Sequence, residues 1–339
     1  MNVFWAPSGE LPKEASTPEE ISRFVVEAAV HAPSVHNTQP WWFSTADREV
    51  SVHADVERRL RVADPDGREM LISCGAALFT VRVALRYLGF VPKVSVLPDP
   101  DLPNLVARVG WGDQTPPVEY ERQLFAEIPR RRTHRGGFDA EPLPAGLLSA
   151  LRDEAAREKA TLRIMGDDGQ RAALAAVVEA ADYALRLDSA RVQEESKWAP
   201  PPGSQRRDGV PATAYPARQE RTEPSFPSRD FAHGHGWGLP PAGQGSVPRS
   251  AGVVAMLTTA DDHPSDWVNA GQALQRVLLL ASSCGISAAL HSQPLELTQL
   301  RDFIRVQLSG GAYVQMVLRL GTTGQAAVSV RRRLDEVLL

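Results

Sequence analysis

Residues 266–286 read DWVNAGQALQRVLLLASSCGI, and an earlier stretch, 75–90, reads GAALFTVRVALRYLGF. Laid on each other, Gly75-Ala-Ala-Leu78 falls on Gly271-Gln-Ala-Leu274, Val81 on Val277, and Gly89-Phe90 on Gly285-Ile286. Further along, Val106-Ala-Arg-Val-Gly110 falls on Val317-Leu-Arg-Leu-Gly321. Each copy is an apolar helical run with a strand ending in glycine beyond it. The expected fold class is therefore α+β, built from two degenerate copies of one α+β unit. Two such units most simply pack as an internal pseudo-dimer, each central helix burying the other.

Working outward, Thr17-Pro-Glu-Glu20 is a capping box with proline at the first helical position. Ile21, Phe24, Val25, Ala28 and Ala29 mark one face of the helix it starts, and Pro33 ends it. Short strands are expected at 41–45 and 50–54, a turn at Asp64-Pro-Asp-Gly67, a buried helix at 70–88, and strands at 93–97 and 105–109. The first half is assigned to 1–118 and the second to 119–339. In the second half, helices are expected at 144–157 and 170–187 with a strand at 161–165 between them. A strand (253–259), a helix (265–284), a strand (287–290), a helix (296–308) and a strand (313–320) follow. Between them, residues 198–248 hold 10 Pro and 7 Gly in 51 positions. That density of breakers predicts a long loop or lid and not a core segment.

Composition excludes some functions. The chain has 339 residues, 43% hydrophobic and 23% charged, with a net charge of −4. This balance argues against a nucleic-acid partner. Cys74 and Cys284, far apart and each in an apolar helical run, are expected to be buried free thiols. The N-terminal stretch MNVFWAPSGELPKEASTPEE lacks a basic flank and apolar core, so no signal peptide is expected. No apolar run is read as approaching the roughly 20 residues that span a bilayer. The expected location is the cytoplasm, with no membrane association.

Two stretches carry candidate chemistry. Pro129-Arg-Arg-Arg-Thr-His-Arg135, followed by Gly136-Gly137, concentrates four arginines and a hydroxyl. Guanidinium forks and a threonine suit a phosphate, and the glycines would let backbone approach it. Arg331-Arg-Arg333 is a second basic cluster, and either alone also suits a solvated patch. The other stretch is 31–43, HAPSVHNTQPWWF, a helix end crowded with polar side chains against aromatic surface. His233-Gly-His235 has no neighbouring acidic or cysteine ligand and reads as plain loop, so no metal is expected. Neither GxGxxG after a strand, GxxxxGK[ST] nor GxSxG occurs. Phosphate-binding groups without a protein nucleophile or metal suit a protein whose cofactor does the chemistry.

At this point the residues resemble a known family, the FMN-dependent nitroreductases. APSVHNTQPWWF is similar to their flavin-contacting helix end, and Arg131-Arg-Thr-His-Arg135 to their Arg-x-Ser-x-Arg phosphate cradle. Residues 271–285 resemble their central helix, and Val317-Leu-Arg-Leu-Gly321 with Arg331-Arg-Arg-Leu-Asp-Glu-Val337 their closing strand and C-terminal arm. The order of the pieces is most similar to the Acg-type, two-half branch. The resemblance implies FMN as cofactor, with NAD(P)H and a small planar acceptor such as a nitroaromatic or quinone as partners. It implies that Arg131, Thr133, Arg135, Arg331 and Arg332 hold the phosphate. Pro33, Ser34, Asn37 and Gln39 would meet the ring, with Ser292 and Gln293 near its N5 edge. The first half lacks the cradle and the second lacks the Pro-Ser-x-x-Asn segment, which implies one composite site per chain. The pseudo-dimer leaves both monomer and homodimer open. The loop at 198–248 carries Tyr215, Phe226, Phe231 and Trp237. It is expected to gate the flavin or, if fixed, to make the protein an FMN-sequestering one that blocks NAD(P)H turnover.

Overall fold

The computed structural model describes residues 17–216, 220–229, 231, 248–324 and 329–339. The first half runs α1 (Pro18–Ala29), β1 (Trp41–Ala46), β2 (Glu49–Ala54), α2 (Arg68–Tyr87), β3 (Phe90–Val96) and β4 (Leu105–Gln114). After α3 (Glu119–Glu127) come α4 (Ala145–Arg157), β5 (Thr161–Ile164), α5 (Asp168–Leu187) and α6 (Ser189–Ser196). The chain continues through β6 (Thr222–Glu223), β7 (Arg249–Ser250), β8 (Val253–Thr259), α7 (Pro264–Ser283), β9 (Ser287–His291), α8 (Thr298–Gln307) and β10 (Tyr313–Gly321).

Two four-stranded antiparallel sheets carry the halves, in the orders β1-β2-β4-β3 and β5-β8-β10-β9. In each, the strand after the central helix takes an edge and the next strand slots inside it. The matched segments Val106–Gly110 and Val317–Gly321 lie at equivalent places, in β4 and β10. This is an α+β fold with the same topology twice, consistent with an internal pseudo-dimer.

α1 starts as its residues dictate. Thr17 Oγ1 accepts from the Glu20 N–H at 3.2 Å, and the Glu20 carboxylate accepts from the Thr17 N–H at 2.8 Å. Its apolar face meets Trp41, Phe43, Val50, Val52 and Phe79 in the first core. A second core joins Leu151, Leu162, Leu257, Val277 and Leu318. The central helices α2 and α7 lie against each other and exchange residues: Val268 and Leu279 of α7 enter the first core, Ile72 of α2 the second. They approach most closely at Gly75 and Gly271. A Cβ at Gly75 would collide with the Val268 carbonyl oxygen, and one at Gly271 with that of Ile72.

Several expectations need correction. α2 is long and apolar enough to cross a membrane by length and composition, but 83% of its apolar window is buried inside the fold. Cys74 is buried, whereas Cys284 is exposed, because it caps the solvent end of α7. α3 and α6 were not expected as helices. The segment 198–248 is not a bare loop either. Phe226 packs into a third core with Met165, Leu174 and Met256, while Val210, Ala214 and Phe231 form a small core of their own. Phe226 and Phe231 are buried despite the prolines around them, Phe226 because it lands on a surface that other elements supply. Trp237, His233 and His235 lie outside the described residues. Finally, the C-terminal arm runs back to the first half: Phe43 N–H donates to Val337 O at 2.7 Å, and Leu339 N–H to Phe43 O at 2.9 Å.

Candidate functional site

The polar helix end at 31–43 has an unusual backbone. His36, Asn37 and Gln39 have φ of 47°, 52° and 49°. Non-glycine residues in this left-handed region cost on the order of 1 kcal/mol each and persist where surroundings hold them. Here side chains do the holding. Ser34 Oγ accepts from the Gln39 N–H at 2.9 Å, and Ser73 Oγ from the Val35 N–H at 3.1 Å. Asn37 Nδ2 donates to Gly209 O at 2.9 Å and Val330 O at 3.2 Å, and its Oδ1 accepts from Arg331 Nη1 at 3.1 Å. Gln39 Nε2 donates to Arg207 O at 2.9 Å, while its Oε1 accepts from the Arg332 N–H at 2.7 Å. Asn37 and Gln39 thus fasten the lid segment and the C-terminal arm to this turn.

Beside the turn lies a cavity of about 110 Å³. Pro33, Ser34 and His36 line it from the first half. Thr133, Arg135, Ser292 and Gln293 line it from the second, and Ser228, Arg229 and Phe231 from the lid. Six of the expected site residues therefore meet at one cavity; Asn37, Gln39, Arg131, Arg331 and Arg332 do not line it. Thr133 is placed by a bridge to Ala288 of β9, where the His134 N–H donates to Ala288 O at 2.8 Å. Gly136 and Gly137 make room for neighbouring side chains: a Cβ on Gly136 would collide with Glu220 and one on Gly137 with Arg249, and the Gly137 N–H donates to Glu220 Oε2 at 2.7 Å.

Behind Arg135 the basic clusters converge. Arg131 and Arg331 are buried, at 4% and 8% exposure. Burial, followed by the charges of Arg132 and Arg135, pulls the Arg131 pKa down to about 9. Arg331 is lowered well below its ordinary value by burial and then by Arg131, Arg132 and Arg135. Among the described residues, none of these four makes an ion pair with a carboxylate, and the Nε atoms of Arg131 and Arg331 are buried without a partner. Buried cations are ordinarily paired, so the arrangement could hold an anion. Arg132, absent from the residues expected to hold the phosphate, belongs to this cluster. Arg332 is elsewhere: its guanidinium donates to Gln39 O at 3.2 Å and Trp41 O at 3.1 Å, with Asp55 at 3.8 Å.

The lid is latched by charge. Arg229 pairs with Glu195 and Glu296, both buried, and donates to Ser292 Oγ at 3.4 Å. Tyr215 Oη donates to Arg229 O at 2.5 Å, and Ser228 Oγ to Arg135 O at 2.7 Å. The rings of Phe231 and His36 meet at right angles, 4.7 Å between centroids. The His36 ring nitrogens are buried without partners, and burial followed by Arg229 keeps its pKa well below the usual value. Glu69 and His291 also line the cavity, and the sequence gives no hint of either. A lone Glu at a helix start and a lone His in a strand carry no local signal; only the wall they share marks them.

The sequence model of the family described as "Nitroreductase family" matches residues 128–322. A Mycobacterium tuberculosis (strain ATCC 25618 / H37Rv) protein named "Putative NAD(P)H nitroreductase Rv3131" is 36% identical over 310 residues, covering 89% of this chain and 85% of that one. Another from the same strain, "Putative NAD(P)H nitroreductase acg", is 28% identical over 323 residues, covering 94% and 95%. Among solved structures, a nitroreductase with bound FMN from Bacteroides fragilis aligns with a TM-score of 0.36 at 13% identity, over 62% of this chain and 93% of that one. A structure from Anabaena variabilis titled as a putative nitroreductase reaches a TM-score of 0.45 at 12% identity, over 81% and 69%. At these TM-scores, family membership rests on the sequence matches.

Proposed function

The chain belongs to the nitroreductase family, and from that premise we propose that it is an FMN-binding oxidoreductase with one composite site per chain. The observation that carries this reading is the group of four arginines, partly buried, unpaired with carboxylates among the described residues and adjoining the cavity through Arg135. Arg131, Arg132, Arg135 and Arg331, with the Thr133 hydroxyl, would take the phosphate, whose double charge offsets their mutual repulsion. The ring would lie in the cavity between the turn at 33–36 and the Ser292–Gln293 wall. Ser34 Oγ already accepts one backbone hydrogen bond, which leaves its O–H to donate to the ring edge. Asn37 and Gln39 act one step back, fixing the strained turn, and Arg332 fixes Gln39 in its turn. Bound FMN would supply two-electron transfer between NAD(P)H and a small planar acceptor. The chain's own part is to hold and orient, and to exclude water with Ile72, Leu274, Leu290, Met316 and Phe231.

Arg131→Ala combined with Arg135→Ala is expected to purify colourless, with less than a tenth of the flavin of the parent by absorbance. A yellow double variant at full occupancy overturns the cradle assignment.

The lid supports a second reading. Because Ser228, Arg229 and Phe231 form part of the cavity wall and Arg229 is doubly paired, the protein could hold FMN without turnover. Anaerobic NADH or NADPH separates the two readings. Bleaching within seconds supports the enzyme. Persistent colour that dithionite nevertheless bleaches supports sequestration.

A further inference from the structure

Glu69, in the first turn of α2, is 3% exposed and lines the cavity. Its two carboxyl oxygens are unequal. Oε1 accepts from Arg68 Nη2 at 3.0 Å. Oε2 is buried with no hydrogen-bond partner. Arg68 is shared, since its Nη1 donates to Gln315 O and Gln315 Oε1, each at 3.1 Å.

The charges facing Glu69 come from every side. Arg68 stands on its own helix and Asp64 on the loop before it. Glu296 follows β9, Arg229 is on the lid, and Arg301 is on α8. His36 and His291, on the same cavity, are kept neutral by burial. The other carboxylates have claimants: Glu296 takes Arg191 and Arg229, and Asp64 accepts from the Met70 N–H at 2.9 Å. Only Glu69, of these three, both lines the cavity and keeps a buried oxygen without a partner. Burial and then Glu296 push its pKa well above the carboxylate range, against the pull of Arg68. An ionised carboxylate with a buried unpaired oxygen is costly, whereas protonation makes that oxygen a donor.

We infer that Glu69 is the acid of this cavity, a neutral carboxyl group whose Oε2–H is offered to an oxygen atom of the bound acceptor, of the quinone class. The inference rests on the flavin reading above for the reductant. One hydride and one proton convert a quinone to a hydroquinone. The hydride is supplied by reduced flavin. The proton comes from Glu69: its O–H bond breaks as the O–H bond of the acceptor forms. The carboxylate left beside Arg68 recovers a proton from water.

The probe is benzoate, a flat anion whose carboxylate accepts the same hydrogen bond. Binding is followed by calorimetry on the protein as purified, from pH 6 to pH 8.5. The parent is expected to keep its affinity while Glu69 stays protonated and to lose it wherever the group ionises. Glu69→Gln keeps an N–H donor and is expected to bind within a few-fold of the parent at pH 6, with no such pH dependence. Glu69→Leu is expected to bind on the order of tenfold more weakly or worse. In the infrared, a carboxylic-acid carbonyl band at neutral pH is expected in the parent and absent from Glu69→Gln. Parent-like benzoate binding by Glu69→Leu, or no such band, overturns the inference. Failure of the flavin reading shows separately, as no FMN uptake by absorbance, while the infrared and benzoate results still decide the state of Glu69.

Discussion

His31, His36 and His291 are enclosed by the fold in the company of arginines. Burial, followed by those arginines, pushes His31 down to about 3 and the other two well below their ordinary value. An unfolded histidine titrates near 6.5. Below that pH the unfolded chain binds protons that the folded chain refuses, so stability falls as pH drops. Each histidine contributes about 1.4 kcal/mol per pH unit once its unfolded form is protonated. Glu69 and Asp64, with raised pKa values, work in the opposite direction. His36→Asn tolerates the left-handed backbone, and urea midpoints from pH 7 to pH 5 are expected to fall less steeply in it, by about one proton's worth of slope. An unchanged slope means that His36 is not held neutral. At this scale the sequence disclosed residue types but not environments. RRTHR was legible as a dense basic motif because its charge density is local. His36, Glu69 and Arg229 were not, because each depends on what lies opposite.

Among the elements, the central helix pair was the most legible part. Gly75 and Gly271 fall on each other in the repeat, and they prove to be where α2 and α7 touch. Alanine at either position forces two backbones apart. Gly75→Ala and Gly271→Ala are each expected to cost about 3 kcal/mol, read as a fall in denaturation midpoint. At Gly146, in α4, an added Cβ would meet nothing within 4 Å, so Gly146→Ala is expected to be neutral or to stabilise by up to about 1 kcal/mol. A small effect at Gly75 equal to that at Gly146 would deny the close crossing. Strand existence was read well, since β-branched alternation and turns are local signals. α3 and α6 were missed because their short, polar surfaces show weak periodicity: α6 buries only Arg191 and Glu195. Those two charged residues are recognisable as interior only once Glu296 and Arg229 are in place.

For the molecule as a whole, the segment that puts Ser228, Arg229 and Phe231 on the cavity wall is expected to control access. Arg229→Ala removes the cation shared by Glu195 and Glu296, and losing one partner of a buried pair typically costs about 3–5 kcal/mol. Flavin-loaded Arg229→Ala is expected to bleach at least tenfold faster with NADH or NADPH than the parent in stopped-flow absorbance. An unchanged rate removes the lid as the gate. The sequence by itself determined the two-unit plan, the central helices and the separation of the basic motif from the polar turn. These follow from periodicity, capping and repetition, which act over a few residues. Only the tertiary structure decided that Arg132 joins Arg131, Arg135 and Arg331 while Arg332 turns to Gln39, that Asn37 and Gln39 bind the 198–248 segment and the C-terminal arm, and that Glu69 lines the cavity with an oxygen left unpaired. The physical reason is that burial and charge pairing are set by groups as many as 300 positions apart, and no local pattern encodes which of them will meet.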